Sequence, residues 1–454
     1  MIFCDGKAVG KTAKTHFTLR NLAPSTKYAV AVEVANASAE SSASATQPFE
    51  ITTAAKETTL SIDAYGAKGD GQTLNTKAIQ AAIDACPKNG VVLVPRGSYL
   101  TGALFLKSDM TLQIEEGGSL VGSTEPSDYE PFIKNRFEGW EMETYASLLN
   151  AGTLDHAGPP NVQNLSIRGK GRITGGGRAL GDAMIKRHGM RSRGRLICLM
   201  NCRNVELQGL ILENPPCWTL HYIYSDNVTC HDLTIQSTVL NGDGLDPDSS
   251  TNSYIFNCSF DTGDDCIAIK SGKNPEGNII NRPTEHVRIF DCTFVKGHGI
   301  SIGSEMSGGV RDVTVEDCVA GNLMHGMQIK ATKDRGNVVE GVVVRDCELQ
   351  KISILTELNY NNDGAPAPAA PHFRNFVFSN IDLTKADPAK PVIIVNGYSE
   401  AGHRTTNLAF ENITLPAGAV VRVDQAEDVR FSNVTTVSGE KPKYDVTRSE
   451  DIQF

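Results

Sequence analysis

The sequence predicts an all-β solenoid, a right-handed parallel β-helix, on two observations. The first is a frame of alternating apolar residues, followed by Asp, Asn or Gly and then by Cys or an aliphatic residue, which recurs along the chain. Its copies lie about 20 to 40 residues apart, the spacing typical of solenoids. The second is that the copies are short Val, Ile and Phe runs without helical periodicity, which favours stacked strands over helical repeats. The clearest copies are residues 287–292, 313–318 and 342–347.

Cysteine recurs at one position of this frame. Cys258, Cys292, Cys318 and Cys347 each close a copy, and a free buried thiol behaves as a small hydrophobic residue. We therefore expect these four residues to form an internal row of the core. The chain has 11 cysteines, and none lies in a CxxC or Cys/His pattern with zinc-ligand spacing. The sequence thus predicts no metal and no cofactor.

A solenoid needs a terminal cap to cover its open core. Residues 76–85 are Ala-rich and place Ile79 and Ile83 on one helical face. The sequence predicts a capping helix here, with the side chain of Asn75 as its N-cap.

Residues 1–54 differ from the rest of the chain. Leu22, Pro24, Thr26 and Tyr28 precede the alternating Val30, Val32 and Val34, a pattern of half-buried strands. This pattern resembles a fibronectin type III module, of which only the later strands would fit. We expect a β-sandwich fragment without catalytic residues over 1–54 and a β-helix catalytic domain over 55–454.

Composition excludes several classes of protein. The net charge is −10 and no basic stripe is present, which argues against a nucleic-acid partner. No apolar run reaches the ~20 residues that span a bilayer, so we expect no membrane partner. An acidic protein can still bind an acidic sugar where local cations line the cleft. Oligomeric state has no signal in the sequence.

Four successive coils carry polar residues just before an alternating strand. If their strands align, one column holds Asp243, Asp265, His298 and His325, and a second column, further along each strand, holds Asp248, Lys270, Gly303 and Lys330. Asp264 lies beside the first column. Stacked coils are ~4.8 Å apart, so the sequence predicts three carboxylates at one place.

Carboxylates this close cannot all ionise freely, so at least one pKa should rise. A protonated carboxyl beside ionised ones is what glycoside hydrolysis requires, as proton donor and as base for water. Lys270 and Lys330 are expected to bind the carboxylate of an acidic sugar. Turn capping is the alternative, which we prefer for Asp248 and Asp261 but not for three acids and a histidine together.

These motifs, in this order, resemble the polygalacturonases of glycoside hydrolase family 28. The matching segments are Asn241 with Asp243, residues 263–265 (Gly-Asp-Asp), 297–299 (Gly-His-Gly) and 329–330 (Ile-Lys), preceded by 65–71 at the start of the β-helix. The resemblance runs from about residue 60 to the C-terminus. It implies inverting hydrolysis of α-1,4-galacturonosidic bonds in pectin.

The resemblance also implies the roles of single residues. Asp264 would protonate the leaving oxygen, and Asp243 and Asp265 would hold and deprotonate the attacking water. His298 would tune the acid or hold the sugar. The expected substrate-binding residues are Asn241, Lys270, Gln328, Lys330 and Tyr360.

One position departs from the family pattern. Gln328 stands where the family usually has arginine, which removes a bidentate grip on a carboxylate. Lys270, Arg311 or Arg335 could supply that grip instead. Residues 302–309 resemble the bacterial exo-acting branch, and exo action requires loops that close one end of the cleft. Insertions are available at 124–195 and 361–372.

Other functions remain open at this point. A rhamnogalacturonan or xylogalacturonan hydrolase would use the same coils, as would a carbohydrate-binding β-helix without activity. A calcium-dependent pectate lyase needs several carboxylates around the ion and a basic proton abstractor; Asp-Asp followed by Gly-His-Gly fits hydrolysis better. The family favours a secreted or periplasmic protein. The first residues lack the features of a signal peptide, and the many cysteines would suit the cytoplasm as the alternative.

Overall fold

The computed structural model describes residues 1–34, 44–356 and 364–454. It divides into two compact units, Met1–Thr58 and Thr59–Phe454. None of the helices in the described ranges has the length and apolar character needed to cross a bilayer.

The first unit is antiparallel. Its strands are Ile2–Cys4, Lys7–Gly10, Lys27–Val34, Ser44–Ala45 and Phe49–Thr52. The Tyr28 hydroxyl accepts a hydrogen bond from the Ala23 N–H at 2.7 Å, the kind of bond that a tyrosine corner makes in β-sandwiches. The fibronectin type III assignment stays a prediction.

The second unit is the predicted right-handed parallel β-helix. Each complete coil passes through three parallel sheets, which we call the first, second and third sheets. The first sheet contains Thr59–Ser61, Gly90–Val94, Met110–Ile114, Val162–Gly169, Cys202–Gln208, Asp226–His231, Thr251–Phe256, Thr284–Phe290, Val310–Glu316 and Glu450–Gln453. The second sheet contains Asp70–Leu74, Gly97–Thr101, Gly118–Gly122, Arg172–Thr174, Ile211–Glu213, Thr234–Ser237 and Ser259–Thr262.

The third sheet carries the residues that matter for function. It contains Leu104–Leu106, Leu149–Ala151, Ile197–Met200, Leu220–Ile223, Leu245–Asp248, Ile267–Ile269, Ile352–Leu355, Ile393–Asn396, Val420–Asp424 and Lys443–Thr447. Six long strands pass from one sheet into the next without a break: from first to second Val338–Glu348, His372–Asp382, Thr405–Leu415 and Ala426–Thr436, and from second to third Thr293–Ile302 and Val319–Lys330.

Few other elements interrupt the coils. The α-helices are α1 (Thr76–Ala85), α2 (Gly177–His188) and α3 (Glu276–Ile280), and the short 3₁₀ helices are Ile62–Tyr65, Pro126–Tyr129, Met190–Ser192 and Lys333–Arg335. A separate antiparallel hairpin, Ile133–Phe137 with Trp140–Thr144, lies within the insertion between the second and third sheets.

The cysteine row of the core is present as predicted. Ser259 pairs with Thr293, Thr293 with Val319, and Val319 with Glu348, so the cysteines one position earlier lie in register. All 11 cysteines are free and buried. Their unpaired state follows from packing in the core and carries no information about compartment, so export stays a prediction.

Helix α1 caps the solenoid, but its predicted N-cap contact is wrong. The helix buries Ile79, Ala82 and Ile83 in the main core, which shields the first coil from water. The Asn75 side chain makes no capping bond. Instead it accepts a hydrogen bond from the Lys68 N–H at 2.7 Å and donates one to the Thr73 carbonyl at 2.6 Å. These bonds stabilise the turn that precedes the helix.

Asparagine ladders mark the sharp turns between sheets. Asn380, Asn412 and Asn433 all adopt positive φ, at 54°, 52° and 53°. Asn412 donates to Asn380 Oδ1 at 3.1 Å and accepts from Asn433 Nδ2 at 2.9 Å. Asparagine tolerates the left-handed conformation better than most residues, which explains its recurrence in the frame.

We expect Asn412→Ala to destabilise the β-helix more than Asn412→Gly. Both changes remove the ladder bonds, but only alanine carries the steric cost of positive φ, roughly 1 to 2 kcal/mol. Urea unfolding followed by circular dichroism measures the difference. Equal midpoints for the two variants would show that backbone strain at residue 412 is unimportant.

Candidate active site

The register of the third sheet aligns the predicted catalytic column. Leu245 pairs with Ile267, and Ile267 pairs with Ile300. These three residues are fully buried, so side chains two positions earlier lie in one row at the edge of the sheet. Asp243, Asp265 and His298 occupy these positions, as the sequence predicted.

The row opens into a pocket of about 240 Å³. Its walls are rich in charge of both signs. They comprise Glu138, Arg191, Trp218, Asn241, Asp243, Asp264, Asp265, Lys270, Lys273, Gly303, Ser304, Glu305, Lys330 and Arg335. All three predicted catalytic carboxylates therefore face one cavity.

Asp243 shares one ammonium with two further carboxylates. Lys270 Nζ lies 3.5 Å from Asp243, 3.6 Å from Asp246 and 3.6 Å from Glu305, and it rests over the Trp218 ring. Burial raises the pKa of Asp243 to about 7; Lys270 opposes the rise, and the nearby charge of Asp264 adds to it. Near neutral pH, Asp243 is therefore poised between its two protonation states.

Asp265 is held ionised. The Ser301 hydroxyl donates to its Oδ1 at 2.6 Å, and Lys330 Nζ donates to its Oδ2 at 3.1 Å. Burial alone would raise the pKa of Asp265, but Lys330 and the hydrogen bond from His298 hold it below its usual range. Asp243 and Asp265 thus have opposite pKa shifts within one pocket, which separates their chemical roles.

Asp264 is the most accessible of the three acids, with a side chain that is 27% exposed. His298 Nδ1 lies 3.0 Å from Asp264 Oδ1 and 3.7 Å from Asp265 Oδ1. Hydrogen bonds to these two carboxylates raise the pKa of His298 to about 10. An imidazolium therefore stands beside Asp264 throughout the neutral range.

Only some of the predicted substrate-binding residues line the pocket. Lys330 and Asn241 line the pocket, where Asn241 Oδ1 accepts from Arg193 Nη2 at 2.7 Å. Lys270 also lines it, but three carboxylates surround its ammonium. Gln328 is 4% exposed and is not a lining residue. Tyr360 lies outside the described residues.

Of the cations considered as substitutes for the family arginine, Arg335 lies at the pocket and Arg311 does not. Arg335 lines the wall beside Lys330. Arg311 belongs to the first sheet, where it pairs with Glu285 and Glu340 at 3.0 Å each. The suggestion that Arg311 grips substrate is therefore wrong, because the register of its strand turns it to another face.

Sequence reasoning missed several residues of the site, among them Asp246, Glu305, Trp218 and Lys273. Asp246 is fully buried, and its oxygens make no hydrogen bond within the described residues. It pairs with His221 in the outward row of the third sheet, so strand alternation after the inward-facing Leu245 could have indicated it. Glu305 lies within residues 302–309, and Trp218 is one of two tryptophans, but nothing in the sequence places either residue beside Lys270.

The same side chains could also be considered as ligands for a metal ion. Asp264, Asp265 and His298 offer ligand atoms within 4.8 Å of one another. However, His298 already bonds both carboxylates, and Lys330 neutralises Asp265. An ion here would meet the ammonium and imidazolium groups at short range. The residues favour an internally balanced acid site, and the expectation of no metal stays a prediction.

Comparison with known proteins places the chain in a family. The family model described as glycosyl hydrolases family 28 matches residues 109–440. The chain belongs to glycosyl hydrolases family 28. A second model, rhamnogalacturonase A/epimerase, pectate lyase-like, matches residues 59–123, which form the first coils and not the pocket.

Members of family 28 with similar sequence or structure include several exo-acting enzymes. The exo-poly-α-D-galacturonosidase of Dickeya chrysanthemi is 30% identical over 433 residues, which cover 85% of this chain and 72% of that protein. The Yersinia enterocolitica family 28 exopolygalacturonase superposes with a TM-score of 0.84 at 27% identity, covering 96% of this chain and 84% of the other. The Thermotoga maritima exopolygalacturonase superposes at 0.68 and 26%, covering 86% and 92%.

We expect the two neighbouring histidines of this family 28 site to have pKa values shifted in opposite directions from that of a free histidine. The His298 and His325 rings are 5.5 Å apart. Burial, helped by His298 and Lys330, lowers the pKa of His325 to about 4. Nitrogen chemical shifts should show a charged His298 and a neutral His325 at neutral pH. His298→Gln assigns the signals and should move the titration of His325 upward, since one nearby positive charge is lost. A neutral His298 at neutral pH would contradict the described hydrogen bonds.

Proposed function

We propose that the protein is an exo-acting polygalacturonase that hydrolyses α-1,4-galacturonosidic bonds with inversion. The observation that carries this proposal is the convergence of Asp243, Asp264 and Asp265 on one pocket. The same pocket presents Lys273, Lys330 and Arg335. Acids for hydrolysis and cations for a uronate are thus combined in one cavity.

The accessibility of Asp264 and the charges beside Asp243 and Asp265 support a division of roles. Asp264 is the most accessible of the three acids and passes a proton to the leaving oxygen; the protonated His298, 3.0 Å from Asp264 Oδ1, is the source of that proton. Asp243 has the raised pKa, so its carboxylate is the stronger base and takes the proton from water. Asp265 stays ionised, orients the water and stabilises positive charge at the sugar ring. One proton leaves water and one reaches the leaving oxygen, so the step balances.

The insertion before the catalytic coils supports exo action. Its hairpin packs onto the third sheet, where Phe137 stacks on Trp218 at 5.2 Å and Arg136 Nη1 bonds Asp248 at 2.8 Å in the buried interior. At its far side, Trp140 donates to the Asn274 carbonyl at 3.0 Å. These contacts fix Glu138 and Arg191 at the pocket wall and cover the strands that precede Asp243. The second insertion, 361–372, is only partly within the described residues.

Product analysis tests this function. On polygalacturonate we expect one short product from the first minutes, reducing ends without an unsaturated product, and no loss of rate with chelator. Asp264→Asn should abolish release and keep oligogalacturonate binding, because the fold and the charges around it change little. An unsaturated, calcium-dependent product would mean a lyase. Mixed oligomers would mean endo action, and binding without release by the unaltered protein would mean a carbohydrate-binding protein. Activity only on rhamnogalacturonan or xylogalacturonan would change the substrate.

The pH profile tests the role of Asp243. A base must be ionised, and the pKa of Asp243 is about 7, so kcat/KM should rise with pH through that value. Lys270→Met removes a charge that lowers this pKa, so the acidic limb should move to higher pH. Lys270→Arg keeps the charge and serves as the control, and circular dichroism checks that both variants fold. If the limb stays in place in Lys270→Met, Asp243 is not the base.

A further inference from the structure

In the coils that follow the catalytic acids, cations lie near the same edge of the third sheet. The charged His298 is followed by the neutral His325 in the next coil, and in the coil after that Lys351 lies opposite Gly326, one position past His325. The backbone N–H of Met327 donates to the Lys351 carbonyl at 2.9 Å, which fixes these coils in register. Positive charge thus begins next to the catalytic carboxylates.

Two further cations extend this positive charge. Ser353 pairs with Ile394, and Ile394 pairs with Arg422, so Arg422 lies in the outward row of the third sheet. Burial, with the positive charges of Lys390 and Arg422, lowers the pKa of Lys351. Lys390 and Arg422 therefore both lie close enough to Lys351 to repel its charge. We call Lys351, Lys390 and Arg422 the basic strip.

Internal ion pairs only partly neutralise the basic strip. Arg422 bonds Asp445 at 3.3 Å, but both side chains are about half exposed, so the pair is weak. Within the described residues, no hydrogen bond or ion pair is made by the side chains of Lys351 and Lys390. Like charges gathered without local neutralisation attract an anionic ligand.

The pocket determines which ligand reaches the basic strip. The insertion covers the third sheet on the side of the earlier coils, through Phe137 and Arg136. The later coils are therefore the direction in which we expect a chain bound in the pocket to extend. The basic strip spans three coils beyond the one that holds Lys330, about 14 Å at the usual strand spacing.

We propose that the basic strip is an extended subsite for the uronate carboxylates beyond the bond that is cut. This inference rests on the proposed function. Binding at the basic strip makes the affinity for substrate depend on chain length, because a long oligomer reaches the strip and the shortest cleaved oligomer does not. The contacts are exposed and ionic, so added salt weakens them.

Steady-state kinetics with Lys351→Gln/Lys390→Gln tests the proposal. We expect KM for hexagalacturonate to rise roughly five- to tenfold, with kcat and the KM of the shortest cleaved oligomer unchanged. The difference should shrink as salt is added. The control, Lys77→Gln/Lys170→Gln, removes the same charge from exposed positions far along the solenoid and should change neither KM.

Other outcomes overturn the proposal. Equal changes for short and long substrates would mean that the double variant disturbs the pocket. No change for any length would mean that the basic strip does not bind substrate. If the unaltered protein cleaves no galacturonate oligomer, the proposed function fails instead, and this result is distinct from both.

Discussion

The site depends on the parallel register that joins Leu245, Ile267 and Ile300. Each coil contributes one or two polar residues that would do little alone. Backbone hydrogen bonds such as Gly244 N–H to the Asp265 carbonyl, 2.9 Å, bring Asp243 and Asp265 within about one strand spacing. A slip of one residue would turn each buried aliphatic side chain outward and each polar one inward. The hydrophobic core and the catalytic row are therefore fixed by one and the same constraint.

This constraint creates an electrostatic problem that the surrounding residues solve. Five carboxylates meet at the pocket: Asp243, Asp246, Asp264, Asp265 and Glu305. Lys270, Lys330 and His298 lie among them and compensate most of the charge. Removing one partner from such a buried group would leave a charge uncompensated, at considerable cost. What remains is a proton that Asp243 can hold or release near pH 7, which is the property that an acid–base site needs.

The fold and the catalytic row could be predicted from the sequence because both are periodic. The frame that ends in Cys292 or Cys318 reports a position in the coil, and alignment of frames places Asp243 beside Asp265. Contacts made by insertions have no period. The hairpin that brings Glu138 to the pocket is irregular, and nothing in the sequence indicates that Arg136 reaches Asp248, 112 residues away. Asn75 shows the same limit on a smaller scale, since its side chain bonds the irregular turn before the helix and not the helix N-terminus.

The buried position of Gln328 changes the meaning of the missing arginine. Its neighbours in register are Ser301 and Ser353, so residue 328 lies in the middle of the third sheet and does not line the pocket. Ser301, next to Gln328 in the sheet, donates a hydrogen bond to Asp265, so this part of the sheet holds a catalytic acid in place. Pocket cations from other elements, Lys273 and Arg335, face the cavity instead. In the proposed function, Lys330 at the end of this strand, together with Lys273 and Arg335 from the segments around it, therefore binds the uronate in place of residue 328.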